Sequence, residues 1–281
     1  MLTVEKYFGT GIPSVVLYVV NGSFLNIMSK KRKQNKFANN EGQANRKDES
    51  PHVYQRDKMS GQGLDVRELK WTEKQKKFIE IAQRKESKVM FLNGPAGCSK
   101  TLLSVYCALK LLEAKKVSDI IYIRSAVESS DSKLGFLPGD AGEKLHFYNI
   151  PFLEKLDELL PKAQVDKLQK ENRVAMYPVN YARGMSWSAK CVIFDEAQNS
   201  SLKEITTILT RLGHFSKCFV LADPMQTDLP IGKAGAFEKM YELFSDEDSM
   251  NNGVLSFKFD EEDIMRSELT KFLVKKLKNV K

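Results

Sequence analysis

The chain has 281 residues, of which 42% are hydrophobic and 28% are charged, which is typical of a soluble globular protein with room for one large core. Lysine and arginine number 44 against 36 acidic residues, and the net charge of +8 favours a polyanionic partner. Four widely spaced cysteines argue against a zinc site and a disulfide framework, and indicate a reducing, cytoplasmic compartment.

Residues 1–62 are predicted to be a disordered, basic extension that precedes one folded domain, residues 63–281. Within this extension, residues 29–58 carry nine basic side chains against four acidic ones, which is most of the positive excess. The same stretch has few large apolar side chains and cannot bury enough surface to fold alone. It is interpreted either as a nucleic-acid-binding arm or as a solubilising arm without a partner.

The apolar run IPSVVLYVV, residues 12–20, is too short to cross a bilayer, and the residues before it lack the basic start of a secretory signal. We therefore expect no membrane or targeting segment. The stretch MSKKRK at Met28 is typical of a natural chain start. This gives the hypothesis that residues 1–27 are either a poorly ordered extension or not normally translated.

From about Leu69, short β-rich runs alternate with amphipathic helical windows, which predicts a mostly parallel α/β sheet flanked by helices. The first helix is predicted in WTEKQKKFIEIAQ, where Thr72 and Gln75 have the spacing of a capping box. VAMYPV is a candidate for a short additional strand. Five strands are predicted in the runs KVMFLN, DIIYIR, KCVIFD, KCFVLAD and GVLSFKF.

Further helices are predicted between these strands. One spans Lys100 to Glu113, and PFLEKLDELL gives another from Pro151 to Leu160. LGFLPGD is predicted to be a turn.

Two more helices are predicted in the second half of the chain. The run SLKEITTILTRLG has Ser201 and Glu204 at capping-box spacing and is expected to end at Gly213. A closing helix spans Ser267 to Lys278. Its apolar residues are expected to face inward: Leu269, Phe272, Leu273 and Leu277.

The stretch LNGPAGCSKT matches the phosphate-binding pattern G-x-x-x-x-G-K-[ST], except that Ser99 stands where the pattern has glycine. Its small residues let successive backbone N–H groups point toward phosphates. Lys100 is expected to reach the β- and γ-phosphates, and Thr101 to ligate Mg²⁺. Because serine can adopt the helical backbone expected at a helix start, Ser99 is interpreted as a tolerated variant. The residues expected to bind ATP are Gly94, Pro95, Ala96, Gly97, Cys98, Ser99, Lys100 and Thr101.

Acidic and polar side chains follow two later strands. In VIFDEAQN, Asp195 is expected to hold Mg²⁺ through its water, and Glu196 to polarise the attacking water. In LADPMQTDLP, Asp223 and Gln226 are placed to sense a γ-phosphate, although the stretch alone is more typical of a plain turn. Because the carboxyl ends of parallel strands meet at one edge of the sheet, these motifs predict a single active site.

Six motifs in order resemble the PhoH-like family, P-loop ATPases related to the first motor domain of superfamily one helicases. They are the glycine loop, SAVESSDSKLGFLPGD, YARG, FDEAQN, QTDLP and DIMRSEL, and the resemblance covers about Trp71 to Lys278. It implies a single RecA-like P-loop NTPase domain.

The resemblance also implies roles for single residues. Gln75 matches a glutamine that reads the adenine edge, and Arg266 matches an arginine that stabilises charge on the transferring phosphoryl group. Arg124 and Arg183 match family arginines whose roles are less settled. The chain departs from the family pattern at three positions: Ser99, Met185 and Ala222.

These observations predict an ATPase that uses Mg²⁺, with Lys100, Glu196, Gln226 and Arg266 as its catalytic residues. The first interpretation couples hydrolysis to RNA or single-stranded nucleic acid, in a homo-oligomer such as a ring in which Arg266 can reach a neighbouring site. The second is a nucleotide-dependent switch or scaffold that binds a protein partner. Nuclease activity is not expected, because the extension has too few ordered acidic residues for such a metal site.

Overall fold

The computed structural model describes residues 63–125, 141–229 and 235–277. All of them belong to one compact unit, Pro51–Lys281. The basic extension, the predicted LGFLPGD turn and nearly all of SAVESSDSKLGFLPGD lie outside the described residues, as does Pro230. The boundary between residues 62 and 63 therefore stays a prediction. In the described ranges, no helix has the length and apolar character needed to span a membrane.

Six strands of the described chain form one sheet in which every neighbouring pair is parallel. They are β1 Val89–Asn93, β2 Asp119–Arg124, β3 Val174–Pro178, β4 Lys190–Asp195, β5 Lys217–Ala222 and β6 Val254–Lys258. The order across the sheet is β3-β2-β4-β5-β1-β6. The VAMYPV run is thus a true strand, β3, at one edge. The strand before the glycine loop, β1, and the DEAQ strand, β4, are separated by β5 alone.

Eight α-helices surround this sheet in the described ranges. They are α1 Glu73–Gln83, α2 Lys100–Glu113, α3 Ala141–Leu159, α4 Lys162–Lys170, α5 Leu202–Leu209, α6 Ala236–Leu243, α7 Glu247–Asn251 and α8 Glu268–Leu277. Short 3-10 turns follow four strands, at Val179–Ala182, Ala197–Asn199, Pro224–Gln226 and Glu261–Asp263. These turns lie just after the carboxyl ends of their strands, where the sequence places its polar motifs.

The sheet is covered on both faces by separate apolar clusters. One cluster joins strand residues such as Leu92 and Ile193 to α1, α2, α3 and α4. The other joins the alternate strand residues, such as Phe91 and Phe194, to α5 and α6. Burial of both faces is what a parallel sheet requires. The predicted single α/β domain, with a parallel sheet flanked by helices, is therefore confirmed.

Two predicted helix boundaries are wrong. Helix α3 begins at Ala141, ten residues before the predicted start at Pro151, and contains that proline. Helix α5 ends at Leu209 instead of Gly213. A Cβ atom at Gly213 would collide with the Ser188 Oγ, so this glycine serves a close approach of two loops.

The prediction that the closing helix turns its apolar residues inward is also wrong. In α8, the exposed fractions of Leu269, Phe272, Leu273 and Leu277 are 66%, 56%, 47% and 61%. Their spacing identified a helix with one apolar side, but no described part of the chain covers that side. We call these four residues the α8 apolar face.

Candidate nucleotide-binding site

The glycine loop joins β1 to α2 and is closed tightly against the end of β6. A Cβ atom at Gly94 would lie 2.8 Å from the Phe259 Cβ and 2.9 Å from the Cys98 Sγ, so a larger residue does not fit. Gly97 has a φ of +85°, in the left-handed region that glycine favours. Both glycines of the loop are thus required by local geometry.

Ser99 does not have the helical backbone that was expected for it. Its φ and ψ are 63° and 26°, in the left-handed region, and its side chain makes no capping hydrogen bond to α2. A left-handed conformation costs a non-glycine residue about 1–2 kcal/mol. A glycine at this position, as in the usual pattern, would adopt the same conformation without this cost. The loop therefore favours glycine over serine here.

Lys100 is held by the loop itself. Its Nζ donates to the carbonyl oxygens of Gly94 at 2.7 Å and Pro95 at 3.0 Å, and it lies 3.8 Å from the Cys98 Sγ. Burial raises the pKa of the Cys98 thiol, with Lys100 opposing this effect. The ammonium group therefore lies beside the backbone that is predicted to surround the phosphates.

Thr101 and Asp195 meet although they belong to different motifs. The Thr101 Oγ1 donates to the Asp195 Oδ2 at 3.0 Å, across 94 residues of sequence. The same oxygen accepts from the Tyr122 hydroxyl at 2.8 Å, and the other carboxylate oxygen accepts from the Glu196 N–H at 3.0 Å. Burial raises the pKa of Asp195, as does the nearby Glu196, while these three hydrogen bonds lower it. A hydroxyl and a carboxylate are oxygen donors of the kind that Mg²⁺ takes, so this pair fits the metal.

Glu196 lies beside this pair in a left-handed conformation, with a φ of 56°. Its Oε2 accepts a 2.6 Å hydrogen bond from the Gln198 Nε2, and its Oε1 lies 3.5 Å from an Arg124 guanidinium nitrogen. Strained backbone of this kind is common at functional sites. The carboxylate is thus oriented between two donors and is still partly exposed to water.

Gln198 is a site residue that sequence reasoning missed. Its side-chain nitrogen donates both to Glu196 and to the Gln226 carbonyl oxygen, the latter at 3.2 Å. Its side-chain oxygen accepts from the Asp223 N–H at 3.1 Å. One buried amide therefore connects the DEAQ motif to the motif that follows β5. The only signal in the sequence was a polar residue two positions after the predicted catalytic acid.

Asp223 approaches the loop, whereas the side chain of Gln226 is exposed. The Asp223 carboxylate accepts from the Met225 N–H at 3.0 Å. Burial raises the pKa of Asp223, and the charge of Lys100 and backbone hydrogen bonds from Met225 and Ala96 lower it. The end of β5 is thus linked electrostatically to the glycine loop.

Gln75 is fully buried and makes two contacts through its side chain. The oxygen accepts from the Thr72 N–H at 3.0 Å, which completes the predicted capping box, and the nitrogen donates to the Cys98 carbonyl at 3.4 Å. The structure therefore places Gln75 against the protein side of the glycine loop.

Arg266 lies against the loop of its own chain. The neighbouring Met265 N–H donates to the Gly97 carbonyl at 3.0 Å, and a Cβ at Gly97 would lie 3.4 Å from the Cγ and Cδ of Arg266. Arg183 is exposed beyond the turn that follows β3 and takes part in none of the contacts above. Met185 packs against the second apolar cluster, which accounts for an apolar residue there.

Two solved structures are distantly similar to this chain. The large terminase from a thermophilic bacteriophage has a TM-score of 0.44 at 11% identity, over 75% of this chain and 50% of the terminase chain. Pif1 from Bacteroides sp., in complex with ADP-AlF4, has a TM-score of 0.32 at 17% identity, over 73% of this chain and 45% of its own.

Several curated proteins are similar to this chain in sequence. A PhoH-like protein of Bacillus subtilis is 34% identical over 189 residues, which are 67% of this chain and 58% of that protein. One from Mycobacterium tuberculosis is 32% identical over 80% of this chain and 62% of its own, and Protein PhoH of Escherichia coli K12 is 33% identical over 70% and 54%. The chain thus spans between half and two thirds of the length of the curated relatives it matches.

The family described as PhoH-like protein matches residues 69–278. That range contains the glycine loop, the Thr101–Asp195 pair and Arg266, and it agrees with the range of the motif-based resemblance. The chain therefore belongs to the PhoH-like family, on a P-loop nucleotide-binding fold.

Proposed function

We propose that this protein hydrolyses ATP with Mg²⁺. The proposal is carried by the 3.0 Å hydrogen bond between the Thr101 Oγ1 and the Asp195 Oδ2, which brings two distant motifs together after β1 and β4. Lys100 and the backbone N–H groups of residues 96–101 would bind the triphosphate, while Thr101 and, through water, Asp195 would hold the metal. When bound, Mg²⁺ would neutralise charge on the β- and γ-phosphate oxygens.

Three residues would act on the reacting phosphate. Glu196, oriented by Gln198 and Arg124, would polarise the attacking water. Gln226 would sense the γ-phosphate. Arg266 would stabilise the developing charge, and its position against Gly97 favours action within its own subunit over a neighbour's site.

Gln75 is proposed to read the adenine edge, as the family resemblance implies. Its side-chain nitrogen donates one of its two N–H groups to the Cys98 carbonyl, which leaves the second N–H for a bound base.

We further propose that hydrolysis is coupled to RNA or single-stranded nucleic acid. The net charge of +8 and the basic extension support this partner. In YARG, the Tyr181 side chain is 61% exposed and Arg183 is also exposed. An aromatic ring beside a cation is a combination that binds single strands by stacking and charge.

A homo-oligomer and a reducing, cytoplasmic location complete the proposal. The α8 apolar face supports an oligomer, because large exposed apolar patches mark interaction sites. The four cysteines are all free and buried, which supports a reducing compartment.

The test is ATP turnover with and without RNA, for the parent and for Glu196→Gln. The variant should bind ATP normally and turn over at least 10²-fold more slowly, because general acid–base groups contribute about 10²–10⁴-fold. Glu171→Gln, which changes an exposed carboxylate at the end of α4, is the matched control and should behave like the parent. Equal rates for Glu196→Gln and the parent would contradict the role of Glu196. Slow turnover that RNA does not change would favour the switch or scaffold instead.

The role of the extension is tested by the salt dependence of RNA binding. Removal of residues 1–60 should flatten the slope of log affinity against log salt, because each lost phosphate contact reduces that slope by about 0.7 for a single strand. A slope equal to that of the full chain would identify the extension as a solubilising arm.

A further inference from the structure

Tyr122 carries a buried hydroxyl that contacts the predicted metal site. It lies in β2, is 1% exposed, and donates to the Asp195 Oδ2 at 2.8 Å. A buried tyrosine hydroxyl needs some acceptor, and a backbone carbonyl would satisfy it as well. This hydroxyl instead uses the one carboxylate that is proposed to hold Mg²⁺.

The register of the sheet explains how Tyr122 reaches Asp195. Strands β2 and β4 pair in parallel with Arg124 opposite Asp195, so Tyr122 is the preceding residue on the same side of β2. That side belongs to the cluster packed by α2, the helix that presents Thr101. The hydroxyls of Tyr122 and Thr101 therefore approach the same carboxylate oxygen.

The three donors to Asp195 differ in what nucleotide and metal would do to them. Thr101 is itself a predicted ligand of Mg²⁺, so its bond to Asp195 is the one that a bound metal would rearrange. Tyr122 and the Glu196 N–H would remain, one on each carboxylate oxygen. Together they fix the plane of the carboxylate, which one donor alone would leave free to rotate.

The ring of Tyr122 is itself held in place. It stacks on the ring of Phe152 in α3, with centroids 4.7 Å apart and planes at 9° to each other. Phe152 is completely buried. The packing of the ring therefore fixes the position of the hydroxyl oxygen. Its hydrogen bond in turn holds the Asp195 carboxylate.

We propose that Tyr122 is a positioning residue for the metal site, which holds the Asp195 carboxylate in the orientation that accepts a hydrogen bond from Mg²⁺-bound water. The inference rests on the proposed function, because it assumes that Asp195 serves Mg²⁺. Groups that hydrogen-bond a direct metal ligand typically change metal affinity by about 10–100-fold when they are removed, and Tyr122 acts one step further out, through a carboxylate that binds Mg²⁺-bound water, so the low end of this range is expected.

The experiment compares Tyr122→Phe with Tyr106→Phe. Both variants keep a buried ring and remove one hydroxyl that donates to a carboxylate; Tyr106 donates to Glu68 at 2.7 Å. We measure binding of a fluorescent ATP analogue in EDTA and across a Mg²⁺ titration, in a Glu196→Gln background that does not require turnover. Hydrolysis in the parent background is measured across the same titration.

Tyr122→Phe should raise the Mg²⁺ concentration for half-maximal effect about tenfold, with nucleotide binding in EDTA within twofold of the parent. Tyr106→Phe should change neither. An unchanged Mg²⁺ midpoint in Tyr122→Phe would overturn the inference, and so would an equal shift in Tyr106→Phe. If the parent does not hydrolyse ATP, the proposed function fails on that measurement alone, while the Mg²⁺-dependent binding still decides the role of Tyr122.

Discussion

At the scale of single residues, Ser99 can be tested directly, because it is a non-glycine residue in a left-handed conformation at the start of α2. Ser99→Gly removes the conformational cost of about 1–2 kcal/mol and loses no capping bond, since the serine side chain makes none. The greater freedom of glycine in the unfolded chain offsets about 0.4–1 kcal/mol of this gain. We expect the free energy of unfolding to rise by up to about 1.6 kcal/mol in urea denaturation. A fall would show that the left-handed conformation is not the one adopted in solution.

Gln198 gives a second prediction at this scale. Gln198→Glu keeps the shape of the side chain, removes both N–H donors and places a second carboxylate beside Glu196. We expect kcat to fall at least tenfold with a much smaller change in nucleotide affinity, because Gln198 uses its hydrogen bonds on the protein alone. Gln83→Glu is the matched control, since the Gln83 amide also donates to a carbonyl, that of Cys107, but lies away from the site. Similar losses in the two variants would assign Gln198 a purely structural role.

The sequence alone was enough to predict that residues of short motifs at strand ends would lie close together. Lys100 and Thr101 follow a glycine loop, and Asp195 and Glu196 follow an apolar run, so their meeting at one edge of a parallel sheet could be expected. The contacts of Tyr122 could not be predicted, because they depend on the register between β2 and β4 and on the packing of α3.

At the scale of the element, helix starts marked by a capping box were predictable, whereas the start of α3 and the end of α5 were not. The capping boxes of α1 and α5 were confirmed, because each is a contact between residues three positions apart. The role of Gly213 was misread, since its reason lies in a loop distant in sequence, at Ser188. The same limit applies to α8, whose apolar face could be predicted but whose covering partner could not.

The cap of α5 provides the prediction at this scale. The Ser201 Oγ accepts from the Glu204 N–H, and the Glu204 carboxylate accepts from the Ser201 N–H at 2.8 Å. Ser201→Ala should lower the free energy of unfolding by about 1 kcal/mol, and Ser201→Gly by only a few tenths, because glycine leaves the cap open to water. Guanidinium unfolding at neutral pH measures both. No loss in either variant would show that the capping bond contributes nothing to stability.

At the scale of the whole molecule, buried ionisable groups set the response to alkaline pH. Burial raises the pKa of Cys107 and Cys218 and raises that of Cys191 from 9.0 to about 12. The unfolded chain therefore loses thiol protons above pH 9 while the folded chain keeps them. The free energy of unfolding should fall from pH 9 toward 12, by about 1.4 kcal/mol per pH unit for each such thiol.

Lys217 has the opposite effect on the pH dependence of the free energy of unfolding. Burial lowers its pKa from 10.5 to about 8, so stability is lost as the pH falls through 8 and recovered as it rises toward 10.5. Above pH 9, the fall in the free energy of unfolding due to the three thiols exceeds the rise due to the one amine. Urea unfolding under reductant at pH 8, 9 and 10 should show a net fall above pH 9, and Cys191→Ala should make it shallower. A stability that rises through pH 10 would contradict the burial of these thiols.

The α8 apolar face leads to a prediction about whether the protein is a monomer or an oligomer. Four large apolar side chains on one side of a helix that is otherwise rich in lysine are costly to leave in water, about 1.5–3 kcal/mol for each that becomes fully buried. Under the proposed oligomer, this face packs on another copy of the chain. Light scattering after gel filtration should then give the parent a multiple of 32.0 kDa, and Leu273→Glu a lower mass. Lys271→Glu, on the opposite side of α8, should keep the parent's mass. A measured mass of 32.0 kDa for the parent across the concentration range would show that the protein is a monomer, and that the apolar face does not pack on another copy of the chain.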